Sequence, residues 1–281
     1  MVVSAGLDSL AELAPPVQAL VAGLVALALT AAGAALVAFD RLGRGALFDG
    51  MLGFAAGVML AAAYWSLLEP SIQLAQLQGY LPWVPATVGL LAGALFLAMA
   101  DRVLPHLHPS LGRADAEGPR TQWSTTTLLI LAITLHNIPE GLAVGVAFGA
   151  AAAPAQGGVA DSSAFGAAVA LAIGIALQNV PEGAAVALPL RAAEASRWRS
   201  FLAGTASAAV EPVAAVAGAI GVGHALHLLP FALAFAAGAM IYVVLEELIP
   251  GAHQSGRADL VTMAAMGGFT LMMVLDVALG G

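Results

Sequence analysis

The chain has 281 residues, of which 60% are hydrophobic and only 9% are charged. Several apolar runs reach about 20 residues, so the composition excludes an ordinary soluble domain and predicts a polytopic membrane protein. The formal net charge of −8 argues against nucleic acid as a partner. The absence of cysteine excludes disulfides, thiolate metal ligands and thiol redox switching.

Apolar runs that end at Pro, Arg, Asp or polar clusters predict eight membrane-spanning helices. The predicted helices cover residues 17–38, 49–68, 83–103, 124–148, 164–190, 200–222, 229–250 and 260–279. The segment before the first helix contains Asp8 and Glu12 but no basic residue, unlike a cleavable signal peptide. We therefore expect an all-α membrane protein with one transmembrane domain over residues 1–281.

The basic residues predict the orientation of these helices. All nine are arginines, and they lie in every second loop: Arg41 and Arg44, Arg102, Arg113 and Arg120, Arg191, Arg197 and Arg199, and Arg257. The loops at 69–82, 149–163 and 223–228 contain none. Because basic loops remain in the cytoplasm, the pattern places both termini outside and loop 104–123 inside.

The second and seventh predicted helices share a sequence run, FAAGVM at 54–59 and FAAGAM at 235–240. The predicted topology makes these two helices antiparallel, so the repetition is inverted. Inverted repeats are the architecture of many secondary transporters, in which one bundle moves against another around a central site. The alternative is that Ala/Gly-rich helices resemble each other by composition alone.

A second repetition is HNIPEG at 136–141 and QNVPEG at 178–183, on the consecutive fourth and fifth helices. An ionisable group inside a membrane span is costly and is a functional-site candidate by default. Pro139 and Pro181 each remove a backbone hydrogen bond, which should loosen the helix one turn before its glutamate. Gly141 and Gly183 should allow a neighbouring helix to approach closely.

Helical geometry brings the polar residues of each motif together. An α-helix turns about 100° per residue, so Glu140 projects between His136 and Asn137. The fifth helix repeats this arc with Gln178, Asn179 and Glu182. Two such arcs that face each other predict a cage for two cations, in which both glutamates bridge.

The sixth helix adds a third carboxylate, Glu211, followed by Pro212. Three carboxylates at this depth are tolerable only when protonated or bound to cations, and two divalent ions would more than balance them. Imidazole, carboxylate and amide oxygen together suit Zn²⁺, Fe²⁺, Mn²⁺ or Cd²⁺ rather than Ca²⁺ or Cu⁺. We expect these ions as a transported substrate, with no separate cofactor.

The motifs on the fourth, fifth and sixth helices closely resemble those of the ZIP family of divalent metal transporters, particularly its GufA-like branch. The resemblance covers nearly the whole chain, including MLGFAAG at 51–57. It implies an eight-helix ZIP fold that takes up zinc and related ions into the cytoplasm by alternating access through a central binuclear site.

The resemblance also implies individual ligands. The first metal site is assigned His136, Glu140, Gln178 and Glu182, with Met59 as a further soft ligand. The second is assigned Asn137, Glu140, Asn179, Glu182 and Glu211. Some relatives carry Asp at the position of Asn179, so the second site is less anionic here.

Further polar residues flank the predicted centre. By resemblance, those on the cytoplasmic side match release sites: Asp101, His106 and His108 in one group, and Glu246, Glu247 and His253 in the other. The alternative for both groups is a charge cluster solvated at the membrane surface. Near the external ends, Ser66 and Asp276 are predicted to attract incoming cations. Asp49 is predicted to cap the second helix.

Two other functions stay open at this point. One is an intramembrane metallohydrolase, although neither motif is His-Glu-x-x-His and the ligand-rich repeats would fill the open position of a catalytic metal. The other is a metal exporter or channel on the same architecture. The Ala-rich, Lys-free composition favours a bacterial inner membrane, with the lipid bilayer as partner. Whether the chain forms a homodimer is left open.

Overall fold

The computed structural model describes residues 9–39, 45–103, 125–152, 162–192, 195–253 and 256–280. We number the long helical segments α1 to α8. They are α1 (Pro15–Ala34, then a 3₁₀ turn Ala35–Ala38), α2 (Ala46–Ala62, a π-helical segment Ala63–Leu68, then Glu69–Leu77), α3 (Trp83–Val103), α4 (Thr125–Ala151), α5 (Ser162–Ala192), α6 (Arg197–Ser207 and Val210–His224), α7 (Leu229–Val243, a π-helical segment Val244–Leu248, then Ile249–His253) and α8 (Ala258–Gly280).

The helical pattern confirms the predicted all-α membrane fold. Seven helices in the described ranges are long and apolar enough to cross a membrane, and the predicted fourth span corresponds to the 27-residue helix α4. The described residues include no strand. The second helix continues to Leu77, beyond its predicted end at residue 68. This prediction was wrong because Pro70 lies in the first turn of Glu69–Leu77, where the missing N–H costs little.

The helices pack in pairs that follow the inverted repeat. The most extensive helix contacts are α4 with α6, α5 with α1, α2 with α8, and α7 with α3. In the inverted repeat, α1, α2 and α3 correspond to α6, α7 and α8, and α4 corresponds to α5. Under this correspondence the α4–α6 pair matches the α5–α1 pair, and the α2–α8 pair matches the α7–α3 pair. The packing therefore has the internal symmetry that the repeated sequences indicate.

The two FAAG runs have matching roles in this packing. A Cβ atom on Gly57 of α2 would overlap the backbone oxygen of Ala265 in α8, and one on Gly238 of α7 would overlap that of Leu90 in α3. Small residues let helix backbones approach this closely in membranes. The repetition is thus more than shared composition, because equivalent glycines make equivalent close contacts.

Helix irregularities lie at sites other than the two proline motifs. Helices α4 and α5 continue through Pro139 and Pro181. The π-helical segments of α2 and α7 each begin nine residues after the phenylalanine of the repeated run, at Ala63 and Val244. In α6, helical geometry lapses between Ser207 and Val210. Because a π-helical turn contains more residues than an α-helical turn, the side chains that follow it in α2 and α7 project in different directions from those of an uninterrupted α-helix.

Asp49 does not cap α2, so that prediction was wrong. The N-cap residue is Gly45, and no side chain caps the helix. The Asp49 carboxylate instead forms an ion pair with Arg257, which immediately precedes α8. Packing of α2 on α8 brings the two residues together, and an acidic residue in the first helical turn also interacts favourably with the helix dipole.

Candidate metal centre

The polar residues of both proline motifs lie inside the helix bundle. Each is buried, as is Glu211 of α6, so the buried set comprises His136, Asn137, Glu140, Gln178, Asn179, Glu182 and Glu211. Asp and Glu are rarely fully buried in proteins without a partner. Acidic and amide groups are costly inside a membrane-spanning bundle, so their concentration here indicates a functional site.

The three glutamates form one electrostatic cluster. Glu140 lies near Glu182 and Glu211, and Glu182 also lies near Glu211. Among the described residues, neither carboxylate oxygen of Glu140 accepts a hydrogen bond of ordinary geometry. Buried charges are stable only when paired or bound to a metal, so the cluster requires protons or cations.

The two motif asparagines present oxygen atoms. Asn137 donates its side-chain amide to the backbone oxygen of Ser207, at 3.0 Å, where α6 is irregular. Asn179 donates to both carboxylate oxygens of Glu211, at 2.9 and 2.8 Å. In the described structure, Oδ1 of each asparagine is buried without a hydrogen-bond donor. Each amide therefore has an oxygen available to a cation.

The motif glycines confirm the predicted close helix packing. A Cβ atom on Gly141 would lie 2.5 Å from the backbone oxygen of Glu211, and one on Gly183 would overlap that of Thr30 in α1. Each glycine directly follows its glutamate. The absence of a side chain thus lets α4 approach α6 closely next to Glu140, and α5 approach α1 closely next to Glu182.

Met59 is completely buried, in the large apolar cluster of the bundle. Its counterpart in the repeat, Met240, is equally buried. Helix α2 also packs on α5, which carries the second proline motif. Its assignment as a soft ligand stays a prediction.

The residues predicted for release are not one group. Asp101 and Glu247 are only 4% and 7% exposed, so a solvated charge cluster does not describe these two, whereas Glu246 is exposed. His106 and His108 lie outside the described residues. His253 is the last residue of α7, and its side chain lies outside the description.

Glu247 contacts a residue of the candidate metal centre. Its carboxylate lies against Nδ1 of His136, although sequence reasoning assigned it to the release path. The repeat contained a signal for an inward position: Glu247 and Ser66 each lie twelve residues after the phenylalanine of their FAAG run. Only one of the two repeats places an acid at this position.

Ser66 and Asp276 form a buried pair between α2 and α8. The serine hydroxyl donates to Oδ1 of Asp276 at 2.6 Å, and both side chains are buried. They do not line an open funnel in this conformation. Any role in cation entry, as predicted, would require the helices around them to separate.

The protein donors do not form a compact all-ionisable site. In the ranges that the structure describes, no three His, Cys, Asp or Glu side chains are gathered closely enough to hold one ion. Amide or thioether groups, or closure of the glutamates, would have to complete a coordination shell.

Comparison with known proteins identifies the family. Residues 112–276, more than half of the chain, match the family described as "ZIP Zinc transporter". The chain belongs to the ZIP family. This confirms the resemblance seen in the motifs. Because ZIP proteins are transporters and not enzymes, the metallohydrolase alternative is wrong for this ZIP-family chain.

Similar proteins extend over nearly the same length. "Zinc transporter ZIP11" of Bos taurus is 42% identical and covers 95% of this ZIP-family chain and 98% of its own length. "Zinc transporter ZIPB" of Bordetella bronchiseptica is 41% identical, covering 93% of the chain and 81% of its own length. "Zinc transporter GufA" of Myxococcus xanthus is 40% identical, covering 77% and 81% respectively. Together with the apolar helices, this establishes a multi-pass membrane protein.

Proposed function

We propose that this ZIP-family chain takes up divalent transition-metal ions into the cytoplasm, with Zn²⁺ as the principal substrate. The observation that carries the proposal is the buried cluster of Glu140, Glu182 and Glu211, three acids that need protons or cations inside a membrane-spanning bundle. A transient cation would neutralise this cluster, and the relatives named above are zinc transporters.

The donor atoms favour ions of intermediate softness. Carboxylate and amide oxygens accompany the imidazole of His136, and the thioether of Met59 lies on the adjoining helix α2. Zn²⁺ accepts nitrogen, oxygen and sulfur ligands, whereas Ca²⁺ prefers an all-oxygen shell. Cd²⁺, Fe²⁺ and Mn²⁺ are compatible with the same donors. We therefore propose these ions as secondary substrates.

Two ions are proposed for the centre. The first would use His136, Glu140, Gln178, Glu182 and Met59; the second would use Asn137, Glu140, Asn179, Glu182 and Glu211. The open Oδ1 atoms of both asparagines support a second position. Glu211 accepts two hydrogen bonds from Asn179, so an ion at that position must compete with the amide. The second site is therefore the weaker one in the proposal.

Alternating access is proposed as the transport mechanism. The central ligands are buried, and so are Ser66 and Asp276 on the predicted outer side and Asp101 on the predicted inner side. Within the described part of the chain, these residues on both proposed routes are thus shielded from solvent in this conformation. Movement of α4 and α5 against α2 and α7 would open one side at a time. Asp101, Glu246 and Glu247, with His106, His108 and His253, remain proposed release residues.

The proposal is tested by ⁶⁵Zn²⁺ flux into proteoliposomes of known orientation, with metal and pH gradients imposed separately. Uptake from the outer face that saturates with Zn²⁺ would support a carrier for import. Flux only from the cytoplasmic face would indicate an exporter, and flux that never saturates would indicate a channel. Parallel assays with Ca²⁺ should show no transport, while Cd²⁺ should compete with ⁶⁵Zn²⁺.

A further inference from the structure

The contact between Glu247 and His136 connects α7 to the metal centre. The two residues are far apart in sequence, yet both side chains are buried and the carboxylate lies against Nδ1 of the imidazole. Glu247 is also close enough to Glu182 to interact with it electrostatically. An acid that sequence reasoning placed on the exit route therefore lies beside two proposed ligands of the first site.

Glu247 lies in the π-helical segment Val244–Leu248 of α7. Within it, Glu246 is exposed and Glu247 is buried. The equivalent segment of α2 carries Ser66 at the matching position, and that hydroxyl donates to Asp276 on α8. The two repeats therefore use one position differently. In α2 it joins two packed helices, and in α7 it delivers a carboxylate to the centre.

A carboxylate at Nδ1 determines which imidazole nitrogen can bind a metal. Neutral imidazole has one N–H and one nitrogen with a free lone pair, and the hydrogen bond at one nitrogen selects the other for coordination. Histidine ligands in metal sites commonly donate their second N–H to a carboxylate, which fixes the tautomer and orientation of the ring. Glu247 is placed for that role, since its carboxylate contacts Nδ1 of His136.

We propose that Glu247 is a positioning residue for the first metal site. It holds His136 with hydrogen on Nδ1 and leaves Nε2 as the metal-binding atom, so its effect is on ion affinity rather than on release alone. The inference rests on the proposed function of His136. The positioning role of Glu247 differs from a release role in one measurable respect. A release residue alters flux without altering equilibrium binding at the centre, whereas a positioning residue alters binding.

The test measures equilibrium Zn²⁺ and Co²⁺ binding to the purified full chain, with Glu247→Gln, Glu247→Ala and the control Asp259→Asn. We expect Glu247→Ala to lower affinity for the first ion about 10- to 100-fold, the usual effect of losing such a partner. Glu247→Gln should lose less, because its amide oxygen still accepts from Nδ1–H. Asp259→Asn, altered at the exposed start of α8, should bind as the parent does.

Nuclear magnetic resonance of ¹⁵N-histidine-labelled protein gives a readout independent of transport. The His136 signal, assigned by its loss in His136→Ala, should show the Nδ1–H tautomer in the parent. In Glu247→Ala it should shift towards a mixture of tautomers. If Glu247→Ala does not fold, Glu247→Leu provides the same comparison. An unchanged His136 tautomer in folded Glu247→Ala, or in Glu247→Leu where alanine is not tolerated, would overturn the proposal, because neither side chain can accept from Nδ1–H.

Three experimental outcomes distinguish the positioning role of Glu247 from the proposed transport function on which it rests. Unchanged affinity in both Glu247 variants, with reduced flux, would overturn the positioning role and leave transport intact. Glu247→Ala could also lower ion affinity by the same factor in the parent and in His136→Ala. That result would mean that the acid binds the ion independently of His136 and would overturn the positioning role. Parent-like binding and flux in His136→Ala would instead remove the proposed first site itself.

Discussion

Asn179 donates its side-chain amide to both carboxylate oxygens of Glu211, at 2.9 and 2.8 Å. The bond joins α5 to α6 inside the bundle and satisfies an acid that would otherwise be buried among like charges. It also occupies the carboxylate that the second metal ion would need. The amide is thus expected to stabilise the metal-free protein and to weaken the proposed second site.

Replacing Asn179 with Asp should reverse this balance. The variant loses the donor and places a second carboxylate against Glu211, so the metal-free protein should lose about 1–3 kcal/mol of stability, the usual cost of an unsatisfied buried group. Zn²⁺ should recover part of that loss because the second site gains a charge. Thermal unfolding with and without Zn²⁺, and isothermal titration of stoichiometry, would measure both effects.

The control for this variant is Gln76→Glu, which adds a negative charge at an exposed position of α2. It should change neither stability nor zinc stoichiometry. Equal zinc affinity and stoichiometry in Asn179→Asp and the parent would contradict the assigned second site.

Removing a central ligand should abolish transport without unfolding the protein. Glu182→Ala and His136→Ala each delete a proposed ligand of the first ion while leaving the glycine-mediated helix contacts in place. We expect ⁶⁵Zn²⁺ uptake at background level and normal size-exclusion profiles. Asp259→Ala, an acid at the exposed start of α8, is the matched control. Uptake at the parental rate in either ligand variant would refute the site.

Alanine at Gly183 should disrupt the bundle, because a Cβ there would overlap the backbone oxygen of Thr30. Overpacking of this kind costs about 1–3 kcal/mol, which should lower the midpoint of thermal unfolding in detergent. Gly267→Ala is the matched control, since a Cβ at that helical position meets nothing within 4 Å. Equal midpoints for the two variants would show that α1 and α5 are packed less tightly than described.

The ion pair between Asp49 and Arg257 should contribute little to stability despite its long sequence separation. Arg257 is 43% exposed, and pairs with a solvated partner contribute about 0–1 kcal/mol. A double-mutant cycle with Asp49→Asn and Arg257→Gln should give a coupling energy within that range that falls as salt is raised. A much larger coupling, insensitive to salt, would mean that the pair is shielded from solvent.

The predicted orientation is testable because the parent chain lacks cysteine. Leu81→Cys and Val103→Cys introduce single thiols at exposed positions that flank α3. With both termini outside, a membrane-impermeant maleimide should label position 81 in intact cells and position 103 only after permeabilisation. The opposite labelling pattern would invert the topology and, with it, the direction of the proposed uptake.

Hydropathy was enough to predict the helices because membrane insertion depends on local apolar length, which a window of residues records. It could not predict that α2 continues past Pro70, since the π-helical segment before it has no simple composition signal. The same limitation applies to α7, where the turn that buries Glu247 and exposes Glu246 follows from helix geometry rather than from hydrophobicity.

The repeated motifs, by themselves, indicated that their acids and amides would lie together inside the bundle. Helical periodicity puts the polar residues of each motif on one side of its helix, and the inverted repeat puts the two motifs on neighbouring antiparallel helices. Tertiary structure alone decided their partners. Packing between helices distant in sequence sets Asn179 against Glu211, Glu247 against His136 and Ser66 against Asp276. Local sequence shows which residues share one face of a helix. It does not show how a neighbouring helix is rotated about its own axis, and that rotation decides which buried polar groups come into contact.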